Sequence, residues 1–380
     1  MLKSVLSSFL LFLSFIGITE ASDKSQLTWA GFSFLGNFDQ RDARYPYTSS
    51  ISLDFEEKGL ASPIDEKLNV LIENYEGDDF TLSSQMADNN QRLFASIGIA
   101  FEDVYETRVN NKYKVSYEIG LNFVIFDFEE KKIVSIYPMR FLRNEIFSKK
   151  PTRLDHANKI KKLYEGNEFN ILSLAVENIR GVNIKENAGN YLGISGIEFV
   201  GNSDKFLPDE KNIDSLGSSI IQEFEGYLSI NNKIPLVPYL KGESLATSMV
   251  LRFSDRTKMS LKLPIRDYEI KIKVRGFGFK KSANYYGYTA KIKIIAQDDL
   301  NPSLVDLDLS KNIWVLKKAV GRLDDKFAQW MIYKEALSVL LDDTSKQIEL
   351  MDENWTKKHS INKDAVEQLK TLKILLDRTK

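Results

Sequence analysis

Alternation of apolar and polar residues in the first part of the chain predicts three consecutive β-strands. The pattern places them at Leu93 to Glu106, Lys112 to Phe128 and Lys132 to Leu142, with turns at Asn110-Asn111 and Glu129-Glu130-Lys131. Because short turns join antiparallel neighbours, we expect an antiparallel meander. Residues 122–126 are largely apolar on both faces, which predicts a central strand that is covered on each side.

Apolar residues at helical spacing predict a helix before these strands and another in the second half of the chain. The first helix starts at Pro63, with Ser62 placed to cap it, and the second opens at Asp214 or Ser215. Further strands are predicted at Lys233 to Pro238, Met249 to Phe253, Lys258 to Leu263, Tyr268 to Phe279 and Tyr286 to Ala296. The first of these is expected at a sheet edge, because its two prolines lack a backbone donor.

Two short segments of the chain resemble each other. Residues 30–39 (AGFSFLGNFD) and 195–204 (SGIEFVGNSD) share Gly, Phe, Gly, Asn and Asp at equal spacing. Each copy predicts a short strand that ends in a turn, because Gly and Asn tolerate left-handed backbone torsions. The repeat favours a duplicated unit, and the alternative is two unrelated strand–turn junctions.

The last part of the chain carries two apolar stripes at helical spacing, which predict a helical hairpin. One interpretation is that the first stripe packs against the second unit. The other is that it forms a docking or oligomerisation helix. The candidate docking residues are Trp330, Leu337, Leu341, Ile348 and Trp355.

The N-terminus is typical of a secretory signal peptide, with Lys3 before an apolar run from Val5 to Ile18 and small residues at Thr19 and Ala21.

Together, the strand and helix patterns predict an α+β fold class, with two α/β units that contain antiparallel sheets. The expected segments are a signal peptide (1–21), a first α+β unit (22–150), a linking helical and strand segment (151–192), a second α+β unit (193–322) and a C-terminal helical hairpin (323–380).

Two predicted strands of the second unit carry a row of basic residues on one face. The row comprises Lys271, Lys273, Arg275, Lys291 and Lys293. Such a row is usually a solvated surface, and its functional interpretation is contact with an anionic surface such as lipid head groups or an acidic partner.

Composition excludes several classes of protein. The chain has no cysteine, which excludes thiol nucleophiles, thiolate zinc sites and disulfide scaffolds. Basic and acidic residues nearly balance, 52 against 53, so no global positive charge favours nucleic acid. The segment RGFGF at residues 275–279 matches the opening of an RNA-recognition motif, but Lys280 and Ser282 break it, and a β-bulge is the preferred interpretation.

Sequence motifs for catalysis or metal binding are also weak. The two histidines are His156, at a predicted helix start, and His359, in a polar linker. Neither belongs to a hydrolase or zinc motif. Residues 306–310 (DLDLS) are similar to the start of a calcium loop, but Lys311 and Lys317 stand where Gly and Glu are required. The sequence therefore predicts no catalytic residue, no metal ligand and no cofactor.

The order of elements from Phe199 to Ala296 resembles a known module. A strand, a helix, the segment Ile234-Pro235-Leu236-Val237-Pro238 and an antiparallel sheet resemble the α/β module of the TolB amino-terminal domain, the curli secretion lipoprotein and the flagellar H-ring protein. The lipobox cysteine of the lipoprotein members is absent. The resemblance implies a non-enzymatic role in assembling or bracing a machine of the Gram-negative envelope.

We therefore expect an exported protein, periplasmic or secreted, that acts as a non-catalytic binding or assembly component. The expected partner is an envelope protein or a second copy of the chain, and not nucleic acid. The alternatives are a secreted carboxylate-dependent hydrolase and an anionic-surface-binding protein. A deep pocket with convergent acids or a perturbed carboxylate would favour the hydrolase, whereas shallow surfaces, an open sheet edge or an apolar patch would favour assembly.

Overall fold

The computed structural model describes most of the chain beyond residue 23. The described residues are 24–56, 62–73, 75–84, 92–109, 111–167, 169–182, 184, 189–208, 213–239, 247–317 and 326–380. The predicted signal peptide lies outside them.

Eleven strands are described. They are β1 (Ser25–Leu35), β2 (Phe80–Ser83), β3 (Leu93–Val109), β4 (Lys112–Asp127), β5 (Lys132–Phe147), β6 (Leu192–Phe199), β7 (Ser248–Phe253), β8 (Lys258–Lys262), β9 (Tyr268–Lys281), β10 (Tyr285–Gln297) and β11 (Val305–Leu316).

Nine α-helices are described. They are α1 (Arg41–Arg44), α2 (Pro46–Glu56), α3 (Pro63–Glu73), α4 (Arg153–Glu165), α5 (Ile171–Asn178), α6 (Ile213–Asn232), α7 (Lys326–Leu350), α8 (Glu353–His359) and α9 (Ala365–Asp377).

The first sheet has seven strands in the order β2-β1-β3-β4-β5-β8-β7. Strand β7 also pairs with β1, so the hydrogen bonding returns to the start of the sheet and closes it. One face of β4, with Phe123 and Ile125, packs in the core under helices α2–α5, and the other, with Val124 and Phe126, faces a second apolar cluster inside the closed part. The predicted central strand, covered on both sides, is confirmed.

The second sheet has four strands in the order β11-β10-β9-β6. Helices α6, α7 and α9 cover one face and share its core. Ile270, Ile272 and Val274 of β9 point into this core, as the alternation predicts. A register shift beside Gly276, whose φ is 152°, forms the predicted bulge and directs Phe277 towards the core.

The two sheets share one topology. In each, a first strand lies parallel to the first strand of an antiparallel three-stranded meander: β1 beside β3-β4-β5, and β6 beside β9-β10-β11. The first strand of each also carries a register shift at the same place in the repeated segment, between Trp29 and Phe32 in β1 and between Ile194 and Gly196 in β6. The α+β class is confirmed, and the arrangement favours a duplicated unit.

The boundary between the units differs from the expected one. The β7–β8 hairpin, expected in the second unit, joins the first sheet, where β7 pairs with β1 and β8 with β5. Helices α4 and α5, expected in the linking segment, bury Ile160, Leu163 and Leu172 in the first core. Periodicity identifies a strand or a helix but does not say which sheet it joins.

The C-terminal segment contains three helices instead of the expected hairpin, because α8 occupies the linker. This segment covers the outer edge of β11, a strand that was not predicted. The side chain of Asn362 accepts a hydrogen bond from the backbone N–H of Asp308 at 2.6 Å. The side chain of Gln368 accepts one from the backbone N–H of Asp306 at 2.8 Å. Covering an edge strand in this way satisfies its open hydrogen-bonding groups.

Candidate functional site

A cleft of about 430 Å³ opens at one end of the first sheet. Five aromatic side chains line it: Trp29, Phe94, Phe126, Phe128 and Phe253. Polar residues that follow β2, lie on α3 or belong to the β7–β8 hairpin complete the lining: Asp65, Asn69, Ser84, Ser254, Asp255 and Thr257. We call this space the aromatic cleft. Its volume lies within the range of pockets that bind small ligands or single side chains.

The floor of the aromatic cleft is formed where α3 meets the bulge in β1. Asp65 accepts a hydrogen bond from the backbone N–H of Phe32 at 2.8 Å. One helical turn later, Asn69 accepts a hydrogen bond from the indole N–H of Trp29 at 3.1 Å. Gly31 lies between the two strand residues with φ of +93°, and a Cβ there would stand 3.2 Å from the Asp65 carboxylate. The glycine therefore permits both the bulge and the close approach of Asp65.

The wall of the aromatic cleft is a stack of rings from adjacent strands. The ring centroids of Phe94 and Phe126 are 5.9 Å apart, and those of Phe94 and Phe128 are 5.0 Å apart. Phe128 is 46% exposed, so much of its ring is open to solvent. An exposed ring backed by buried rings gives a contact surface that is already ordered before a ligand arrives.

The charged residues that line the aromatic cleft are acidic. They are Asp65, which is buried, and Asp255, which is exposed, and the described lining residues include no Lys, Arg or His. Aromatic faces attract cations, and carboxylates accept charge-assisted hydrogen bonds from them. The cleft therefore suits a group that combines a positive charge with an apolar body.

Two glutamates whose pKa values are raised lie outside the aromatic cleft. Burial raises the pKa of Glu102 to about 7, and its carboxylate accepts the N–H groups of Tyr47 and Thr48 at the start of α2, at 2.8 and 2.9 Å. Burial raises the pKa of Glu225 to about 8, and Glu225 accepts the N–H of Tyr239 at 2.7 Å. The cavity beside Glu225 measures about 20 Å³, which is room for one water and not for a substrate.

A cluster of buried charges joins the two units. Arg140 of β5 contacts Glu118 of β4 at 3.0 Å and Glu223 of α6 at 3.1 Å. Lys334 of α7 contacts Glu118 at 2.9 Å. Tyr227 and Ser338 also hydrogen-bond Glu223. We call these four charged residues, Glu118, Arg140, Glu223 and Lys334, the charged joint. Each of the four side chains is at most 6% exposed, so this cluster is structural and inaccessible to a substrate.

The predicted basic row lies on the outer face of the second sheet, and acids neutralise part of it. Lys273 contacts Glu198 at 3.1 Å, Lys293 contacts Asp306 at 2.8 Å, and Arg275 pairs with Asp308. In the part of the chain that the structure describes, Lys271 and Lys291 form no ion pair. The face is therefore of mixed charge, and β11 supplies two of the three acids.

The candidate docking residues pack inside the chain. Trp330, Leu337, Leu341 and Ile348 are at most 1% exposed and belong to the core of the second sheet. Trp355 lies on α8, partly buried against the same core. These side chains therefore stabilise the chain's own fold instead of forming a docking surface, which agrees with the core-packing interpretation of the stripe.

The histidines and the segment at 306–310 also have structural surroundings. His156 lies in the first turn of α4, 3.0 Å from the Tyr117 hydroxyl and 3.3 Å from Glu106. Residues 306–310 belong to β11. Among the described residues, no group of three or more His, Asp or Glu side chains could hold a metal ion.

Comparisons with models of known protein families, with curated proteins and with solved structures found no match. Within the described part of the chain, no helix has the length and apolar character required to cross a membrane.

Proposed function

We propose that this chain is an exported, non-catalytic binding component that recognises an envelope protein partner through the aromatic cleft. The observation that carries the proposal is the cleft itself: the exposed ring of Phe128, backed by buried rings, beside the exposed carboxylate of Asp255. The recognised feature is a basic side chain flanked by apolar groups on the partner, because that chemistry matches both the Phe128 ring and the carboxylate of Asp255.

The hydrolase alternative has less support from the geometry. A carboxylate-dependent hydrolase needs an acid of raised pKa in contact with its substrate. Glu102 and Glu225 have raised pKa values, but each is at most 3% exposed and neither lines the aromatic cleft. The groups with unusual pKa values are thus separated from the space where a ligand fits.

The recognition site is tested by photo-crosslinking in intact cells. A photoreactive residue at Thr257, on the rim of the aromatic cleft, should crosslink a discrete partner, and the same residue at Ile265 should not. Ile265 is 89% exposed and lies outside the cleft, so it is a matched accessible control. Adding Phe128→Ala should abolish the Thr257 crosslink, whereas Leu142→Ala, another exposed apolar residue, should not.

The chemistry of the ligand is tested with the purified protein. A short peptide that contains arginine and leucine should change the fluorescence of Trp29, and its glutamate counterpart should not. Phe128→Ala and Asp255→Asn should each weaken binding by at least about tenfold. Equal binding of the two peptides, or crosslinking that Phe128→Ala does not alter, would contradict the proposal. Export is tested separately: a mature protein in the cytosol that retains Met1 would contradict that part.

A further inference from the structure

The far end of the second sheet exposes aromatic residues on both of its faces. Phe279 is 51% exposed, Tyr285 43%, Trp314 54% and Leu316 50%, and Tyr286 is partly buried beside them. We call these five residues, with Lys280, Lys281 and Lys317, the aromatic tip. It belongs neither to the aromatic cleft nor to the basic row.

Strand register assigns the members of the aromatic tip to faces. Trp314 pairs with Gly287, and Leu316 pairs with Tyr285, so these side chains point to the outer face of the sheet. Phe279 pairs with Tyr288, whose ring packs against Tyr333 of the helical layer. Phe279 and Tyr286, whose rings are 5.4 Å apart, therefore lie on the opposite face from Trp314.

The exposed rings are held in place. A Cβ at Gly287 would stand 2.8 Å from the Trp314 ring, so the indole lies directly over the glycine backbone. On the other face, the Lys317 ammonium lies 5.4 Å from the centre of the Tyr286 ring and donates a hydrogen bond to the carbonyl of Ala283 at 2.8 Å. Both faces thus present ordered aromatic surface to solvent.

The charge of the aromatic tip is entirely positive. Residues 279–288 and 313–317 contain three lysines and no Asp or Glu. No ion pair of Lys280, Lys281 or Lys317 with a described residue is present. The tip therefore differs from the basic row, where Glu198, Asp306 and Asp308 neutralise part of the charge.

We propose that the aromatic tip inserts into the interfacial region of an anionic lipid bilayer. A protein partner with a flat surface would cover one face of the sheet, whereas a lipid interface surrounds an inserted tip and covers both. Trp and Tyr favour the level of lipid head groups, and lysines at the same level contact anionic head groups. This inference stands on the tip alone and does not depend on the aromatic cleft or its ligand.

The first test measures cosedimentation of the purified protein with vesicles. The protein should bind vesicles of phosphatidylcholine mixed with phosphatidylglycerol more tightly than vesicles of phosphatidylcholine alone, and added salt should weaken the difference. The double variant Trp314→Ser and Leu316→Ser should lose at least about tenfold in binding. The control variant Ile265→Ser and Leu300→Ser removes apolar side chains elsewhere that are even more exposed, 89% and 88%, and should bind like the native protein.

The role of the lysines of the aromatic tip is tested with two matched charge-reversal variants. Lys280→Glu with Lys281→Glu should abolish the preference for anionic vesicles. Lys271→Glu with Lys291→Glu, in the basic row, should leave it unchanged. All these positions lie at the protein surface, and unchanged thermal unfolding midpoints will show that each variant folds.

Fluorescence reports the depth of insertion. Of the four tryptophans, Trp29 and Trp330 are at most 7% exposed and Trp355 is partly buried, so an emission shift to shorter wavelength on adding vesicles should come from Trp314. Trp314→Phe should remove the shift and keep the binding. No binding of the native protein to anionic vesicles would overturn the inference. So would equal losses in the tip and control variants, or tip variants that change the oligomeric state without lipid while vesicle binding stays native.

Discussion

The charged joint and the surroundings of Glu102 and Glu225 bury carboxylates to the same extent but give them different partners. In the charged joint, Glu118 and Glu223 are at most 3% exposed and contact the cations Arg140 and Lys334. Glu102 and Glu225 are also at most 3% exposed, but their hydrogen bonds come from backbone N–H groups and, for Glu102, the hydroxyl of Thr48. The difference lies in the partner and not in the degree of burial.

The partners decide whether the pKa of each carboxylate is raised or lowered. Burial raises the pKa of Glu225 to about 8, and the N–H of Tyr239 and the charge of Arg266 only partly oppose this. Burial acts in the same sense on Glu118, but Arg140 and Lys334 outweigh it and hold the pKa of Glu118 below its ordinary value. Glu118 is therefore ionised at neutral pH, whereas the Glu225 carboxyl is mostly protonated.

The largest expected effect is on the charged joint. Arg140→Met should lower the free energy of unfolding by roughly 3 to 5 kcal/mol, because it leaves Glu223 without its cation and Glu118 with Lys334 alone. Urea unfolding measures the change. Arg143→Met is the matched control on the same strand. Arg143 is 46% exposed and pairs with Glu145, so its loss should cost less than about 1 kcal/mol.

A companion variant separates unpaired charge from lost packing. If Arg140→Met does not fold, the double change Arg140→Met and Glu223→Gln removes the carboxylate left without a cation, while Glu118 keeps its contact with Lys334, and should recover soluble protein. Arg140→Lys keeps the charge and should fall between the native protein and Arg140→Met. A cost for Arg140→Met as small as that for Arg143→Met would show that the joint contributes little to stability.

The second prediction concerns pH and Glu225. Because the folded-state pKa of about 8 lies above the ordinary 4.5, the folded protein retains a proton that the unfolded chain releases between these values. The stability from this group is complete below about pH 4.5 and is lost as pH rises through about 8. Glu225→Gln keeps an oxygen acceptor for Tyr239 and should remove that loss, on the order of a few kcal/mol.

The measurement compares urea midpoints of native protein and variant at about pH 5 and about pH 8.5. The native protein should lose more stability between the two values than Glu225→Gln does. Glu367→Gln changes a glutamate whose side chain is 72% exposed and should leave the native pH dependence intact. Parallel curves for the native protein and Glu225→Gln would show that Glu225 has an ordinary pKa.

Most strands could be predicted because their residues either alternate between apolar and polar or form a short apolar run between turns. Leu93–Val109, Lys112–Asp127 and Lys132–Phe147 were found within a few residues, and so was the bulge at Gly276. Strand β11 is not among the predicted strands, although Asp306 and Asp308 alternate with apolar residues there. In the structure these acids face the basic row, where Lys293 and Arg275 neutralise them. Long-range packing decides which sheet the β7–β8 hairpin joins, and no local sequence pattern indicates it.

The candidate sites could be predicted less well than the fold. The aromatic cleft combines Trp29, Asp65, Phe128 and Asp255, which are far apart in the sequence and meet only because the β7–β8 hairpin closes the first sheet. The glycine at position 31 was the one local signal, since it belongs to the repeated segment. The aromatic tip depends on where helix α7 stops covering the sheet, which periodicity along the strands cannot show.

The smallest expected effect concerns the ion pairs of the basic row, which repeat the chemistry of the charged joint at the surface. Lys273 and Glu198 lie 3.1 Å apart, with side chains 35% and 57% exposed. Because water already solvates both groups, Lys273→Met should change the free energy of unfolding by about 0.5 kcal/mol or less. Lys334→Met, which leaves a buried charge pair incomplete, should cost several times more. If urea unfolding gave equal costs for the two lysines, desolvation would not be what separates the joint from the surface row.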